Sequence, residues 1–240
     1  MKRFWRNAIR LPRRTVASLW RRAHPAYRFQ RRANRYVCLH LTPQMIDRLG
    51  AVPGNTSDRQ CRLLFYLAMN TRADGLLLEI GAYMGKSTAW LAEAARRGDR
   101  HLVSIDPHLN DSYDVFQRTL RNFDIEQVAT IHRATSREVG SNFATPIALL
   151  WVDGGHEYEC VRRDIADFAL HVCPGGFAVF DDANPQAFPG VVRAIDESLR
   201  QDPTWSYLGR IKMMDLWMKK RTDEVGEESD GATERRSDEE

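Results

Sequence analysis

The chain has 240 residues, 43% of them hydrophobic and 28% charged, with a formal net charge of +3. That is enough apolar material to bury one substantial core. Pro12, Arg13 and Arg14 interrupt the apolar stretch near the start, which leaves too little for a secretory signal or a membrane span there, and the chain is expected to be cytoplasmic, peripheral to a membrane at most. The four cysteines, Cys38, Cys61, Cys160 and Cys173, show no CxxC or zinc-ligand spacing and read as buried, reduced thiols.

Charge is divided between the two ends. Residues 1–36 hold twelve Lys and Arg and no acid, whereas 222–240 are predominantly acidic. Residues 1–40 read as a basic arm that interleaves Phe4, Trp5, Ile9, Leu11, Val16, Leu19 and Trp20 with its charges. Such an arm suits an anionic membrane surface, nucleic acid, the chain's own acidic tail or a second subunit of a homo-oligomer. Residues 221–240 have the composition of a solvated tail. Between 41 and 75, Thr42-Pro43 and Ser57-Asp58 look like helix starts, and Cys61, Leu64, Phe65 and Ala68 form an apolar face on the second helix. These helices are expected to cap a crevice.

From Leu76 the pattern changes to short apolar strands alternating with helices, the signature of a parallel sheet. Leu76, Leu77, Leu78 and Ile80 are a strand covered on both faces, followed by a turn between Gly81 and Gly85 and a helix opened by Ser87 and Thr88 and closed by Gly98. A helix start of this kind offers unpaired N–H groups to an anion. The turn has Ala82, Tyr83 and Met84 between its glycines and so lacks the middle glycine of the dinucleotide fingerprint, which argues against a nicotinamide cofactor. A second strand, His101 to Asp106, ends in an acid 25 residues beyond Gly81, where a ribose-binding carboxylate belongs.

Tyr113, Phe116, Leu120 and Phe123 mark the next helix, and Val128 to Arg133 the third strand, with Thr135 and Ser136 just beyond it. Ile147 to Asp153 is the fourth strand. Val161, Ile165, Phe168 and Ala169 mark the helix after His156, and Pro174-Gly175-Gly176 ends it before a fifth strand running from Phe177 to Asp182. Trp205 to Ile211 and Met213 to Lys219 form a closing antiparallel pair. The carboxyl ends of parallel strands share one edge, so Asp106, Asp153, Asp181 and Asp182 are expected to converge on one crevice. Neighbouring carboxylates repel, and a hard divalent cation, Mg²⁺ before Mn²⁺ or Ca²⁺, is the usual neutraliser of an oxygen-only set.

The run EIGAYMGKS resembles the first motif of class I S-adenosylmethionine-dependent methyltransferases, and its GAYxGxS core is very close to that of the catechol O-methyltransferase group. Asp153 with His156 three residues later, and Asp181-Asp182 28 residues after Asp153, reproduce the later motifs of metal-dependent members. A histidine in the base position is similar to the macrocin and mycinamicin sugar O-methyltransferases, whose loop reads Asp-x-x-His. The resemblance spans about 76–200. It implies a Rossmann-like α/β sheet of about seven strands, mostly parallel with a C-terminal antiparallel pair and helices on both faces, forming a methyltransferase domain over 76–220.

It also implies S-adenosylmethionine held by Glu79, Gly81, Tyr83, Gly85, Ser87, Asp106, Thr135 and Asp153. Mg²⁺ would sit on Asp153, Asp181 and Asp182, with Asp153 and His156 catalytic and His156 removing the proton from an acceptor hydroxyl, most naturally of a glycoside or glycolipid sugar. Unperturbed histidine titrates near pH 6.5, so much of it is neutral at pH 7. Three other classes stay open: a cephalosporin-hydroxylase-like oxygenase, a nucleic-acid methyltransferase, and a non-catalytic nucleoside-binding protein.

Overall fold

The computed structural model describes residues 25–109 and 111–221, so the first part of the basic arm and the acidic tail lie outside the described residues. Three helices come first, α1 (Pro25–His40), α2 (Pro43–Gly50) and α3 (Asp58–Asn70). Strands and helices then alternate through β1 (Leu76–Ile80), α4 (Lys86–Arg97), β2 (Leu102–Ile105), α5 (Ser112–Asn122), β3 (Ala129–His132), the short α6 (Ser136–Gly140) and β4 (Ile147–Val152). The chain continues through α7 (Tyr158–Phe168), β5 (Val172–Phe180), α8 (Pro189–Ile195) and the hairpin of β6 (Trp205–Ile211) and β7 (Met214–Lys219). No helix among the described residues is long and apolar enough to cross a membrane.

The seven strands lie in the order β3-β2-β1-β4-β5-β7-β6, parallel except for β7, which runs antiparallel to both of its neighbours. This is the expected Rossmann-like sheet, mostly parallel with an antiparallel closure. Successive strand residues point to opposite faces, and each face has its own core. Leu77, Leu149, Trp151, Val179 and Leu216 pack under α1 to α5, whereas Leu78, Ile80, Leu150, Ala178 and Phe180 pack against α7 and α8. The β1 and β4 residues are buried throughout, as a centre covered on both sides requires.

Three expectations change. The second half of the basic arm is α1, whose Ala33 and Val37 are fully buried against α3, with Phe29 and Tyr36 packed beside them. Their helical spacing is hidden in sequence by the arginines between them. The fifth strand starts at Val172, because Pro174-Gly175-Gly176 forms an irregularity inside the strand rather than a stop, with Gly175 at φ 82° and the register slipping between Ile147 and Leu149. Of the cysteines only Cys61 is buried: Cys38 and Cys160 are exposed and Cys173 half-buried, all as free thiols.

Candidate functional site

At the carboxyl edge of the sheet, β1 runs into Gly81 at φ 92°, and a Cβ there would collide with the backbone of Asp153 at the end of β4. The two central strands therefore approach backbone to backbone at this glycine. Tyr83 (φ 48°) and Gly85 (φ 93°) complete the turn, and Gly85 precedes the first turn of α4. Asp106, just past β2, fastens it: Oδ2 accepts from the N–H groups of Ala82 at 2.8 Å and Tyr83 at 2.7 Å, and Oδ1 from His108 N–H at 2.7 Å. The acid expected at the ribose thus also holds the turn in shape.

Glu79, on β1, is fully buried. Burial pushes its carboxyl up to about 6 against the opposing pull of the Ser104, Ser87 and Thr88 hydroxyls. Thr88 and Ser104 each donate to Oε2 at 2.6 Å, while Oε1 has no hydrogen-bond partner. Ser87, expected to face the ligand, is itself 2% exposed and turned toward this acid. Thr135 also differs from expectation. It is the N-cap of α6, and its hydroxyl is spent in a capping box, accepting from Glu138 N–H at 3.3 Å and donating to the Glu138 carboxylate at 2.7 Å.

Across β1 the ends of β4 and β5 line a separate crevice with Asp153, Gly154, His156, Asp181 and Asp182. Asp106 stands on the other side of β1, so three of the four strand-end acids converge here rather than all four. Asp153 is held well above the usual carboxylate range, first by burial and then by the charges of Asp181 and Asp182. Asp181 is pushed up to about 6, again by burial first. Asp182 sits at φ 52°, a left-handed conformation uncommon for a residue with a side chain. Its Oδ2 lies 2.6 Å from His156 Nε2. Phe188, in the loop after β5, packs on the imidazole with ring centres 4.8 Å apart.

The spacing of the motifs did not disclose two further side chains. Thr56 donates to Asp153 Oδ2 at 3.2 Å, and Gln60 spans both oxygens of Asp181 at 2.8 Å each. Gln60 is fixed from behind, since its Oε1 accepts from the backbone N–H of Ser57 at 3.0 Å and from the Ser57 hydroxyl at 2.6 Å. The Ser57-x-x-Gln60 capping box was the available signal, although a capping box announces a helix end and not a distant acid. The supposed cap is thereby corrected: the body of α3 is core, packed on α1 and α4, and only its first turn reaches the crevice.

Among the described residues no group of three or more His, Cys, Asp or Glu side chains is arranged to hold a metal ion. As they stand, Asp153 faces Thr56, Asp181 faces Gln60 and Asp182 faces His156. The donor chemistry nevertheless suits a hard cation: the carboxylates are oxygen donors, mutually repelling and partly dehydrated, and Asp153 and Asp182 each commit a single oxygen to these contacts.

Residues 78–183 match a family described as a methyltransferase domain. Among solved structures, a Klebsiella pneumoniae protein assigned as an O-methyltransferase superposes with a TM-score of 0.60 at 19% identity, over 78% of this chain and 96% of that one. The O-methyltransferase TomG of Streptomyces achromogenes, involved in tomaymycin synthesis and solved with S-adenosylmethionine, gives 0.60 at 17% identity, over 81% and 98%. CalS11, a TDP-rhamnose 3'-O-methyltransferase of calicheamicin biosynthesis, gives 0.53 at 15% identity, over 78% and 86%.

Proposed function

We propose that the chain is a class I S-adenosylmethionine-dependent methyltransferase and that it methylates a hydroxyl of a small molecule, a sugar of a glycosylated metabolite or glycolipid, with a divalent cation at the acids of β4 and β5. The observation that carries this reading is the 2.6 Å contact between His156 Nε2 and Asp182 Oδ2 at the crevice. With Asp182 accepting from Nε2–H, the imidazole is fixed in the tautomer whose Nδ1 lone pair is open, and Nδ1 is then the atom that takes the acceptor's hydroxyl proton. Phe188 limits the swing of the ring. The His156 side chain is 48% exposed, so an acceptor can reach it without a prior opening of the core.

When bound, S-adenosylmethionine supplies an electrophilic methyl group on a sulfonium. The turn from Gly81 to Gly85 and the first turn of α4 would seat its methionine end, Asp106 its ribose, and Asp153 would lie beside the methyl-bearing sulfur. Support comes from the backbone-to-backbone approach at Gly81, which leaves no side chain between the two half-sites. A divalent cation on Asp153, Asp181 and Asp182 would lower the acceptor's pKa and fix its direction of approach. Thr56 and Gln60 orient two of those carboxylates. The sugar acceptor is favoured by the Asp-x-x-His loop and by the fold shared with a TDP-rhamnose O-methyltransferase.

The test is incubation of the full chain with S-adenosylmethionine, Mg²⁺ and a panel of glycosides and lipid-linked sugars, read by mass spectrometry for the gain of one methylene unit. Tight cofactor binding with no methylated hydroxyl across the panel would remove the sugar reading. Methylation of nitrogen or nucleic acid would replace it.

A further inference from the structure

Helix α1 has two faces of different character. Gln30, Ala33 and Val37 are buried against the body of the protein. Arg28, Arg31, Arg32 and Arg35 are exposed, as is Leu39, which is 69% accessible. Positions 28, 31, 32, 35 and 39 follow the i, i+3, i+4, i+7, i+11 spacing of a single helical stripe, so the four guanidinium groups stand side by side. Among the described residues none of the four has a carboxylate within ion-pair distance. Arg59 of α3, exposed and with its carbonyl accepting from Gln30 Nε2 at 3.1 Å, extends the same basic surface. Like charges at these spacings repel. A folded helix that concentrates them leaves a surface for a polyanion.

The chain carries that polyanion at its other end. Residues 222–240 hold nine Asp and Glu against two Arg. They follow β7, which ends at Lys219 paired with Trp205 of β6, and β6 packs against α1. A stretch of 19 residues reaches roughly 60 Å when extended, more than twice the length of α1, about 24 Å at 1.5 Å per residue. Tethering supplies an effective concentration on the order of millimolar, so a weak, salt-screened contact suffices for occupancy.

We propose that residues 222–240 lie on the arginine face of α1 in the same molecule and mask it from other anions. A phosphate-bearing membrane surface is the competing occupant. The opposite charges of the two ends then form a closed internal contact.

The experiment uses the full chain with Cys160→Ser, Cys173→Ser and Ser229→Cys, spin-labelled at the exposed Cys38 of α1 and at position 229, and measures their distance by pulsed electron resonance. The expected result at low salt is a main population within about 25 Å, the length of α1. It should be lost at high salt. Arg28→Gln, Arg31→Gln, Arg32→Gln and Arg35→Gln together should also remove it while leaving the melting temperature and cofactor affinity in place. A broad distance distribution at low salt, or a short one that survives the four arginine changes, would overturn the proposal. So would a tail that moves away only when the first 24 residues are deleted, which would make that segment its seat. Displacement by anionic but not by neutral vesicles supports masking; anionic vesicles bound with the short distance intact overturn it.

Discussion

The two half-sites on either side of β1 hold their acids by opposite means. At the ends of β1 and β2, Asp106 takes three backbone N–H groups and Glu79 two hydroxyls, all within 78–108, so charge is neutralised locally by donors that the strand-turn-helix unit brings with it. At the ends of β4 and β5, Asp153, Asp181 and Asp182 repel one another. Each is restrained by one side chain, Thr56, Gln60 or His156, two of which come from a helix start that precedes the domain. A ligand entering the first half meets a preformed cradle, whereas the second half stores electrostatic repulsion that a proton or a cation relieves.

The sharpest way to break the comparison is at Gly81, the point where the halves touch. Gly81→Ala forces a Cβ into the Asp153 backbone at φ 92°. The left-handed backbone and the overlap together cost roughly 2–5 kcal/mol. Urea melts should show that loss, and binding of S-adenosylhomocysteine should disappear with it; a variant that melts and binds like the parent would mean the strands can part at no cost.

His156→Ala should lower turnover by about 10²- to 10⁴-fold, the usual contribution of a general base, while calorimetric cofactor affinity stays unchanged. Chelation should stop turnover and Mg²⁺ restore it. Full activity in excess chelator would remove the cation from the proposed mechanism and leave the His156–Asp182 pair to act alone.

The cost of burying carboxylates should be visible as pH dependence in the metal-free chain. Asp181, raised from 3.8 to about 6, Glu79, raised from 4.5 to about 6, and Asp164, raised from 3.8 to about 6, keep their protons to higher pH when folded than when unfolded. Between about pH 4 and 6 folding therefore takes up protons, so these groups favour the fold at the acid end of the window. Stability falls as pH rises through it, by a few kcal/mol in total, since each tenfold rise in a group's proton affinity on folding is worth roughly 1.4 kcal/mol. Urea melts from pH 4 to 7 read this directly. In Asp181→Asn the fall should be shallower, and a slope unchanged from the parent would mean that Asp181 is not strained.

Asp106→Ala should weaken S-adenosylmethionine about tenfold or more, since a charge-assisted contact is worth about 1.5–3 kcal/mol, and should lower the melting temperature because the turn loses its fastening. Unchanged calorimetric affinity would leave Asp106 with the structural role alone. The smallest effect belongs to Thr135→Ala. Loss of the capping box costs about 1 kcal/mol of stability and nothing in cofactor binding; a clear drop in affinity would return Thr135 to the ligand.

Much of this was legible in the chain itself. The strands were readable because each is a short apolar run bounded by turn residues, and the ends of β1, β4 and β6 lie within a residue of expectation. The acids could be assigned to one edge of the sheet because parallel strands must share it. Helix α1 was not legible because its arginines mask the buried positions, and β5 is longer than its sequence suggests because Pro-Gly-Gly signals a stop wherever an irregular strand does not absorb it.

Sequence by itself therefore determined the fold, the glycine turn after β1, and which acids end the strands, because local periodicity and the handed connection of parallel strands leave few alternatives. Tertiary structure alone decided how those acids are used. Which carboxylate is saturated by backbone N–H groups, which is held by Thr56 or Gln60, and which pairs with His156 depends on residues as many as 121 positions apart. No local pattern records a contact made only when α3 packs beside the sheet and its first turn comes to rest over the ends of β4 and β5.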